Sequence, residues 1–247
     1  MRLHSRLERL VNIVARKKIV FVIVEGPSDE EALGLVLSKL YSNDEVYVHI
    51  THGDITSEFI ESPNENIFTR VASEVDDYAQ SNHYEKIHFK EIIHLVDTDG
   101  TFIPAENVTE DPSAIKPLYS LSEIRTRNKT GIEGRNKRKS SNIKKLCSRK
   151  EIWGIPYQVY YMSCNLDHVL YNKLNSSDED KETDAFQFAK YYKDKIPEFV
   201  QFISESDFSV TGDYRESWNF IQQDLNSLNR YTNLAIGLPK PKEAVEK

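Results

Sequence analysis

The chain has 247 residues, of which 39% are hydrophobic and 11% aromatic, enough for the core of one globular domain or of one domain with an appendage. Its net charge of −7 is unevenly placed, and Cys147 and Cys164 lack the spacing of a metal or disulfide motif. Arg16, Lys17 and Lys18 break the early apolar stretches, which argues against a membrane span there. We therefore expect a soluble, cytoplasmic protein.

The predicted elements alternate between strands and helices. Because the first and third apolar runs are apolar on both faces, the pattern predicts an α/β fold, with about four mainly parallel strands flanked by helices. A short amphipathic helix is predicted over residues 4–17. The predicted strands are Lys18–Val24, Val46–Thr51, Glu91–Val96 and Tyr157–Met162, and the helices between them are Ser28–Tyr41 and Ile67–Ser81.

Later parts of the chain depart from this alternation. We predict an α/β domain with its N-terminal helix over residues 1–175, interrupted at about 101–150 by a basic insertion. A helical C-terminal extension follows over residues 176–238, and a disordered tail over 239–247. Its helical patterns are Thr183–Ser204 and Tyr214–Tyr231, preceded by an acidic stretch, residues 175–184, that is typical of a solvated connector.

Three carboxylates follow two of the predicted strands. Glu25 comes directly after the first apolar run, and Asp97 and Asp99 follow the third. Ligands bind at the carboxyl ends of the strands in an open parallel sheet, so these side chains are expected to converge. Ionised carboxylates repel one another unless a cation compensates them. A hard divalent ion with oxygen ligands, Mg²⁺ above all, is therefore predicted here.

The turn after the first strand supplies three supporting residues. Gly26 is expected to let the chain turn sharply beneath a ligand. The Ser28 hydroxyl is placed to cap the following helix. Asp29 lies in the first turn of that helix, four residues after Glu25, and can point toward the same site.

The stretch "IVFVIVEGPSDEEAL", followed by "IIHLVDTDG", resembles the Toprim domain of topoisomerases, bacterial primases, small ribosomal-RNA maturases and nucleases of the overcoming-lysogenization-defect type. The resemblance covers about residues 17–175 and implies a Toprim or Rossmann-like sheet. It also implies that Asp97 and Asp99 are catalytic metal ligands and that Glu25 is the catalytic glutamate. Glu25, together with Asp29 or Asp167, would bind a second metal ion or act as general base. Asp29 matches the additional acid of the nuclease branches, and is thus a further implied ligand.

The fourth strand ends in "YMSCNLDHVLYNKL", which is similar to the Ser-Asn plus acid signature of small RloB-like Toprim proteins. This similarity implies that Asp167 is a metal ligand and that Ser163 supports it. The sequence has Asp where Glu is more usual, and it lacks the Pro and Trp expected there. A plain acid on a helix surface is therefore the alternative for Asp167.

The resemblance implies a nuclease that cleaves DNA or RNA with Mg²⁺, for which Mn²⁺ can substitute. It also suggests an antiphage effector with a partner ATPase, while the oligomeric state is left open. One alternative is a phosphatase of the haloacid-dehalogenase type, with Asp97 as nucleophile, Asp99 as acid, and Ser163 and Asp213 in its later motifs. That alternative leaves "VEGPSDEEAL" unexplained. A second alternative is a non-catalytic module that binds nucleic acid or regulates a partner.

The segment Arg125–Lys150 holds eleven Lys or Arg and one acid, Glu133. Clustered cations displace condensed counterions from phosphates, so the segment predicts binding of nucleic acid. Because like charges repel, we expect the segment to be a mobile loop until a polyanion binds. A solvated basic loop without a ligand is the alternative. The candidate phosphate-binding residues are Arg125, Arg127, Arg135, Lys137, Arg138, Lys139, Lys144 and Lys145.

Overall fold

Two sheets organise the fold in the computed structural model, which describes residues 18–41, 46–58 and 65–239. The strands are β1 (Lys18–Val24), β2 (Val46–His52), β3 (Phe89–Asp97), β4 (Val108–Glu110), β5 (Leu118–Tyr119), β6 (Ile124–Thr126), β7 (Glu151–Ile152) and β8 (Ile155–Met162). The central sheet has the order β2-β1-β3-β8-β7, and only β7 pairs antiparallel. The four predicted strands and the mainly parallel α/β class are thus confirmed.

Helices cover both faces of the central sheet. Alternate residues of β1 enter different cores, Val20 and Val22 on one face and Phe21 and Ile23 on the other, which explains why its sequence is apolar throughout. The helices are α1 (Pro27–Tyr41), α2 (Ile67–Ser81), α3 (Lys129–Cys147), α4 (Leu166–Tyr171), α5 (Asp178–Tyr192), α6 (Ile196–Glu205) and α7 (Tyr214–Ile221). Helices α1, α5 and α6 pack on the first face, and α2, α3 and α7 on the second.

The predicted insertion folds into a small sheet, of order β4-β6-β5, and helix α3. The expectation of a mobile basic loop is therefore wrong for residues 129–147. The side chain of Asn128 accepts a hydrogen bond from the Gly131 N–H and starts α3. The buried face of α3 mixes apolar and polar residues, and this weakens the helical pattern in the sequence. Its members are Ile132, Asn136, Lys139, Asn142, Ile143 and Leu146.

The C-terminal region is helical, as predicted, but its elements differ in extent. The single helix predicted over Thr183–Ser204 is two helices, because Pro197 lacks an N–H and fits only the first turn of α6. The helix predicted over Tyr214–Tyr231 ends at Ile221. The acidic stretch, residues 175–184, is not only a connector, because Ser177 caps α5 and the helix begins at Asp178. The acids of its first turn stabilise α5 by interacting with the positive end of the helix dipole.

Some predictions concern residues that the structure leaves undescribed. The helix expected over residues 4–17 and residues 240–247 of the expected tail lie outside the described residues. Within the described part of the chain, none of the helices combines the length and apolar character needed to cross a bilayer. Both cysteines are free thiols, Cys164 buried and Cys147 half-buried, as expected.

Candidate functional site

The acids singled out in the sequence line one pocket of about 520 Å³ at the carboxyl edge of the central sheet. Strand β3 pairs in parallel with both β1 and β8, and its last residue, Asp97, lies opposite Met162, the last residue of β8. The carboxyl ends of the three strands therefore bring Glu25, Asp97 and the start of α4 together. Glu25, Asp97 and Asp99 converge as the parallel topology predicts. The six acids around the pocket that bear on its chemistry are Glu25, Asp29, Asp54, Asp97, Asp99 and Asp167.

A lysine lies inside this acidic site. Lys139 of α3 is fully buried, and its Nζ lies 3.0 Å from a carboxylate oxygen of Glu25 and 2.5 Å from Oδ2 of Asp99. A third acid, Asp54, is 3.9 Å away. The Thr56 hydroxyl donates a further hydrogen bond, of 3.3 Å, to Glu25. The prediction that Lys139 contacts substrate phosphates is wrong here, because its ammonium group is enclosed by carboxylates.

Arg135 also points inward. Its guanidinium donates to the backbone oxygen of Asp99 and to the Tyr119 hydroxyl, each at 2.7 Å, so it is no free phosphate ligand. Asp99 has φ of 48°, in the left-handed region that L-residues avoid, and its N–H donates to the Cys164 carbonyl at 2.7 Å. Arg135 and the β8–α4 loop together hold the strained turn that carries Asp99.

The electrostatics divide the acids into two groups. Burial raises the pKa of Asp97 well above its ordinary value, and the neighbouring Asp29, Glu25 and Asp99 add to the rise. Burial likewise raises the pKa of Asp29 to about 6 and that of Glu25 to about 8, Lys139 opposing the rise at Glu25. Burial would also raise the pKa of Asp99, but Lys139 and Arg135 bring it below its ordinary value. Compensation by buried cations is therefore strongest at Asp99. The Asp97 carboxylate makes no ion pair or hydrogen bond with another described residue, and Asp29 is bonded to backbone N–H groups rather than to a buried cation.

The donor set fits a hard cation such as Mg²⁺, because the pocket gathers carboxylate oxygens in excess over buried cations. Among the residues that the structure describes, no three or more His, Cys, Asp or Glu side chains are arranged as a metal cage. Mg²⁺ is commonly held by one or two carboxylates, with water and substrate phosphate completing its shell. The side of the pocket formed by Asp97 and Asp29 suits such an open site.

Asp167 is a buried member of the site rather than a surface acid. Asp167 is only 5% exposed and lies in the first turn of α4. The Asn165 side chain caps this helix by accepting a hydrogen bond from the His168 N–H. Lys181 of α5 lies 3.5 Å from the Asp167 carboxylate. Lys181 is not predictable as a site residue from charge alone, because the acidic stretch around it is typical of a solvated connector. The sequence feature that could have indicated its position is Ser177 followed by three acids, a typical helix start that places Lys181 near the beginning of a helix.

The structure does not give the three supporting residues the roles predicted for them. Ser28 lies inside α1, which begins at Pro27, so it is not the residue that precedes the helix. The side chain that bonds the backbone at this helix end is Asp29, whose carboxylate accepts a hydrogen bond of 2.9 Å from the Gly26 N–H. Gly26 needs no left-handed backbone, and a Cβ there would make only ordinary contact with Asp29, at 3.6 Å. Ser163 is buried and donates to the Asn226 carbonyl. The fold thus gives Ser163 a structural hydrogen bond, while Gly26 and Ser28 line the pocket without the predicted turn and capping roles.

The remaining basic candidates lie at different places on the surface. Arg125 is half exposed beside Asp111, at 3.6 Å, and Arg127 donates to the Pro112 carbonyl at 3.1 Å. Arg138 donates to the Ser57 carbonyl at 2.7 Å and so ties α3 to the loop after β2. Three of the candidate lysines lie on the exposed face of α3, where a polyanion can reach them. These are Lys137, Lys144 and Lys145.

Beneath α3, the sheet contains a buried histidine. His94 of β3 is fully buried, and its Nδ1 lies 2.9 Å from the Tyr157 hydroxyl. Its Nε2 has no hydrogen-bond partner among the described residues. Burial lowers the pKa of His94 to about 3; the charge of Lys139 lowers it further and that of Asp54 opposes this.

Lowering the pH from about 7 to about 5 is expected to reduce the free energy of unfolding by about 2 kcal/mol through His94 alone. An unfolded histidine titrates near pH 6.5, so below that pH the unfolded chain takes up a proton that native His94, with its lowered pKa, excludes. Urea unfolding across this pH range should show the loss in the wild type and a smaller loss in His94→Gln. Equal pH dependence in both proteins would contradict the neutral, buried histidine.

Comparisons of the chain with models of protein families, with curated proteins and with solved structures give no match.

Proposed function

We propose that this protein is a metal-dependent nuclease that hydrolyses phosphodiester bonds of DNA or RNA in the acidic pocket. The observation that carries the proposal is the cluster of buried carboxylates at the carboxyl edge of a parallel sheet, in which neither Asp97 nor Asp29 is paired with a buried cation. When bound there, Mg²⁺ or Mn²⁺ would polarise a phosphate and stabilise charge on its oxygens. Asp97 and Asp29 would hold the ion, with Asp167 at the rim.

The other acids of the pocket have their own tasks in this proposal. Lys139 and Thr56 fix the Glu25 carboxylate beside the pocket, where it can accept a proton from an attacking water. Asp99 binds Lys139 and thereby keeps the ammonium in place. Arg135 acts through Asp99, since it holds the backbone of that residue rather than the substrate.

Helix α3 connects this pocket to a basic surface. The same helix that inserts Lys139 among the carboxylates presents Lys137, Lys144 and Lys145 to solvent. A nucleic acid whose phosphates bind these lysines would lie alongside the helix that borders the site. Phosphate contacts of this kind position a polymer without reading its bases.

Changing Lys137, Lys144 and Lys145 together to Gln is expected to weaken nucleic-acid binding similarly for all sequences. The slope of log affinity against log salt should become flatter by about 0.7 to 0.9 for each phosphate contact that is lost. Fluorescence anisotropy with a labelled oligonucleotide measures both quantities.

A matched control removes three exposed lysines from other elements: Lys90, Lys190 and Lys193. The control should retain the wild-type affinity and salt slope. If the two triple variants behave alike, the exposed face of α3 is not the binding surface.

Incubation with labelled DNA and RNA, in Mg²⁺, Mn²⁺ or EDTA, tests the nuclease itself. We expect cleavage products with either metal and none in EDTA, and loss of cleavage in Glu25→Gln. Binding without products in either metal would favour the non-catalytic module. Hydrolysis of a phosphomonoester by Glu25→Gln, with no nuclease activity in the wild type, would favour the phosphatase.

A further inference from the structure

Lys139 occupies a position among the carboxylates where a cation is required. It lies on the buried face of α3 with no exposed surface, and its Nζ contacts Glu25 and Asp99 at 3.0 and 2.5 Å. Burying an ammonium group is costly unless carboxylates surround it, and these two provide that environment. Glu25 and Asp99 therefore have a cation that belongs to the chain itself.

The surrounding contacts fix α3 in this position. Asn142 donates to the Thr56 carbonyl at 2.9 Å, and the Thr101 hydroxyl donates to the Asn136 carbonyl at 2.7 Å, so the helix is bonded on both sides of Lys139. Ile143 is packed into the core one turn further along. The ammonium group is thus held by the fold of its helix and is not a surface side chain that has turned inward.

On the opposite side of the pocket, no buried cation is present among the residues that the structure describes. The structure gives the Asp97 carboxylate no ion pair or hydrogen bond with another described residue, and the Asp29 carboxylate accepts from the Gly26 N–H. Lys181 lies nearer to Asp167, at 3.5 Å, and is itself partly exposed. One position for an added cation therefore remains, beside Asp97 and Asp29.

We propose that Lys139 replaces one of the two cations that this carboxylate set could hold, so that the pocket binds a single divalent ion at Asp97 and Asp29. This inference rests on the metal dependence in the proposed function and specifies its stoichiometry. It also separates the roles of the two acids of the "DTD" motif: Asp97 is a ligand of the ion, and Asp99 is a ligand of the lysine.

Equilibrium dialysis with Mn²⁺ tests the inference without an activity assay. We expect one Mn²⁺ per chain in the wild type and in Lys139→Arg, and two in Lys139→Met, where Glu25 and Asp99 become free to bind an ion. Two ions in the wild type, or one in Lys139→Met, would overturn the inference. No Mn²⁺ bound to the wild type would instead remove the metal from the proposed function, and the inference with it.

A second pair of variants keeps the test decisive if Lys139→Met does not fold. Asp97→Asn is expected to weaken Mn²⁺ binding by more than about a hundredfold, because even the loss of an outer-shell partner of a ligand costs about tenfold to a hundredfold. Asp99→Asn should change the affinity by less than about threefold. Circular dichroism verifies that both variants are folded. Equal loss of Mn²⁺ affinity in the two variants would place the ion between Asp97 and Asp99 and overturn the role of Lys139, while the nuclease proposal would stand.

Discussion

Asp97→Asn is expected to lower the rate of nucleic-acid cleavage by at least about a thousandfold. The change removes a carboxylate on the uncompensated side of the pocket, where an ion would contribute several kcal/mol to transition-state stabilisation. Single-turnover cleavage of a labelled oligonucleotide in saturating Mg²⁺ measures the rate. Glu205→Gln, on the exposed side of α6 and outside the pocket lining, is the matched control and should retain the wild-type rate.

The same variant has a second readout, in the absence of metal. Burial raises the pKa of Asp97 and nearby acids raise it further, so its ionised form is disfavoured in the native state. Replacement by the neutral amide should therefore raise the free energy of unfolding in EDTA, while it abolishes cleavage. Cleavage within about threefold of wild type, or a clear loss of stability in EDTA, would contradict the place of Asp97 in the site.

The strands and the convergence of the acids were predictable because both depend on local patterns. An apolar run with no polar face, such as Ile19–Val24, is compatible with a strand buried on both sides, and its end is marked by Glu25 and Gly26. Parallel pairing then brings the residues after β1 and β3 to one edge of the sheet, whatever the loops between them do. Convergence follows from topology and needs no side-chain detail.

The role of the basic segment was not predictable from its charge, since a count of cations does not say which way they face. Lys137 and Lys139 are two residues apart, and one is exposed while the other is buried. The spacing of Ile132, Lys139 and Leu146, seven residues apart in each step, indicates one helix face. A lysine midway between two apolar residues of this face could have indicated that Lys139 is buried. The many neighbouring charges obscured this pattern.

Lys139→Met is expected to lower the free energy of unfolding in EDTA by about 3 to 5 kcal/mol, the usual cost of removing one partner from a buried ion pair. Methionine preserves much of the side-chain volume of lysine. The loss therefore reflects the missing ammonium group, which leaves Glu25 and Asp99 without their cationic partner. Urea unfolding measures the change. Lys137→Met is the matched control, on the exposed side of the same helix, and should cost less than about 0.5 kcal/mol.

A double variant separates electrostatics from packing. If the loss in Lys139→Met comes from an unpaired carboxylate, adding Asp99→Asn should recover part of it, because Asp99 has a lowered pKa and is the acid that stays ionised. If the lysine stem contributes only packing, the two changes should be additive or worse. A loss below about 1 kcal/mol in Lys139→Met would show that the ammonium group is not what allows these acids to lie together.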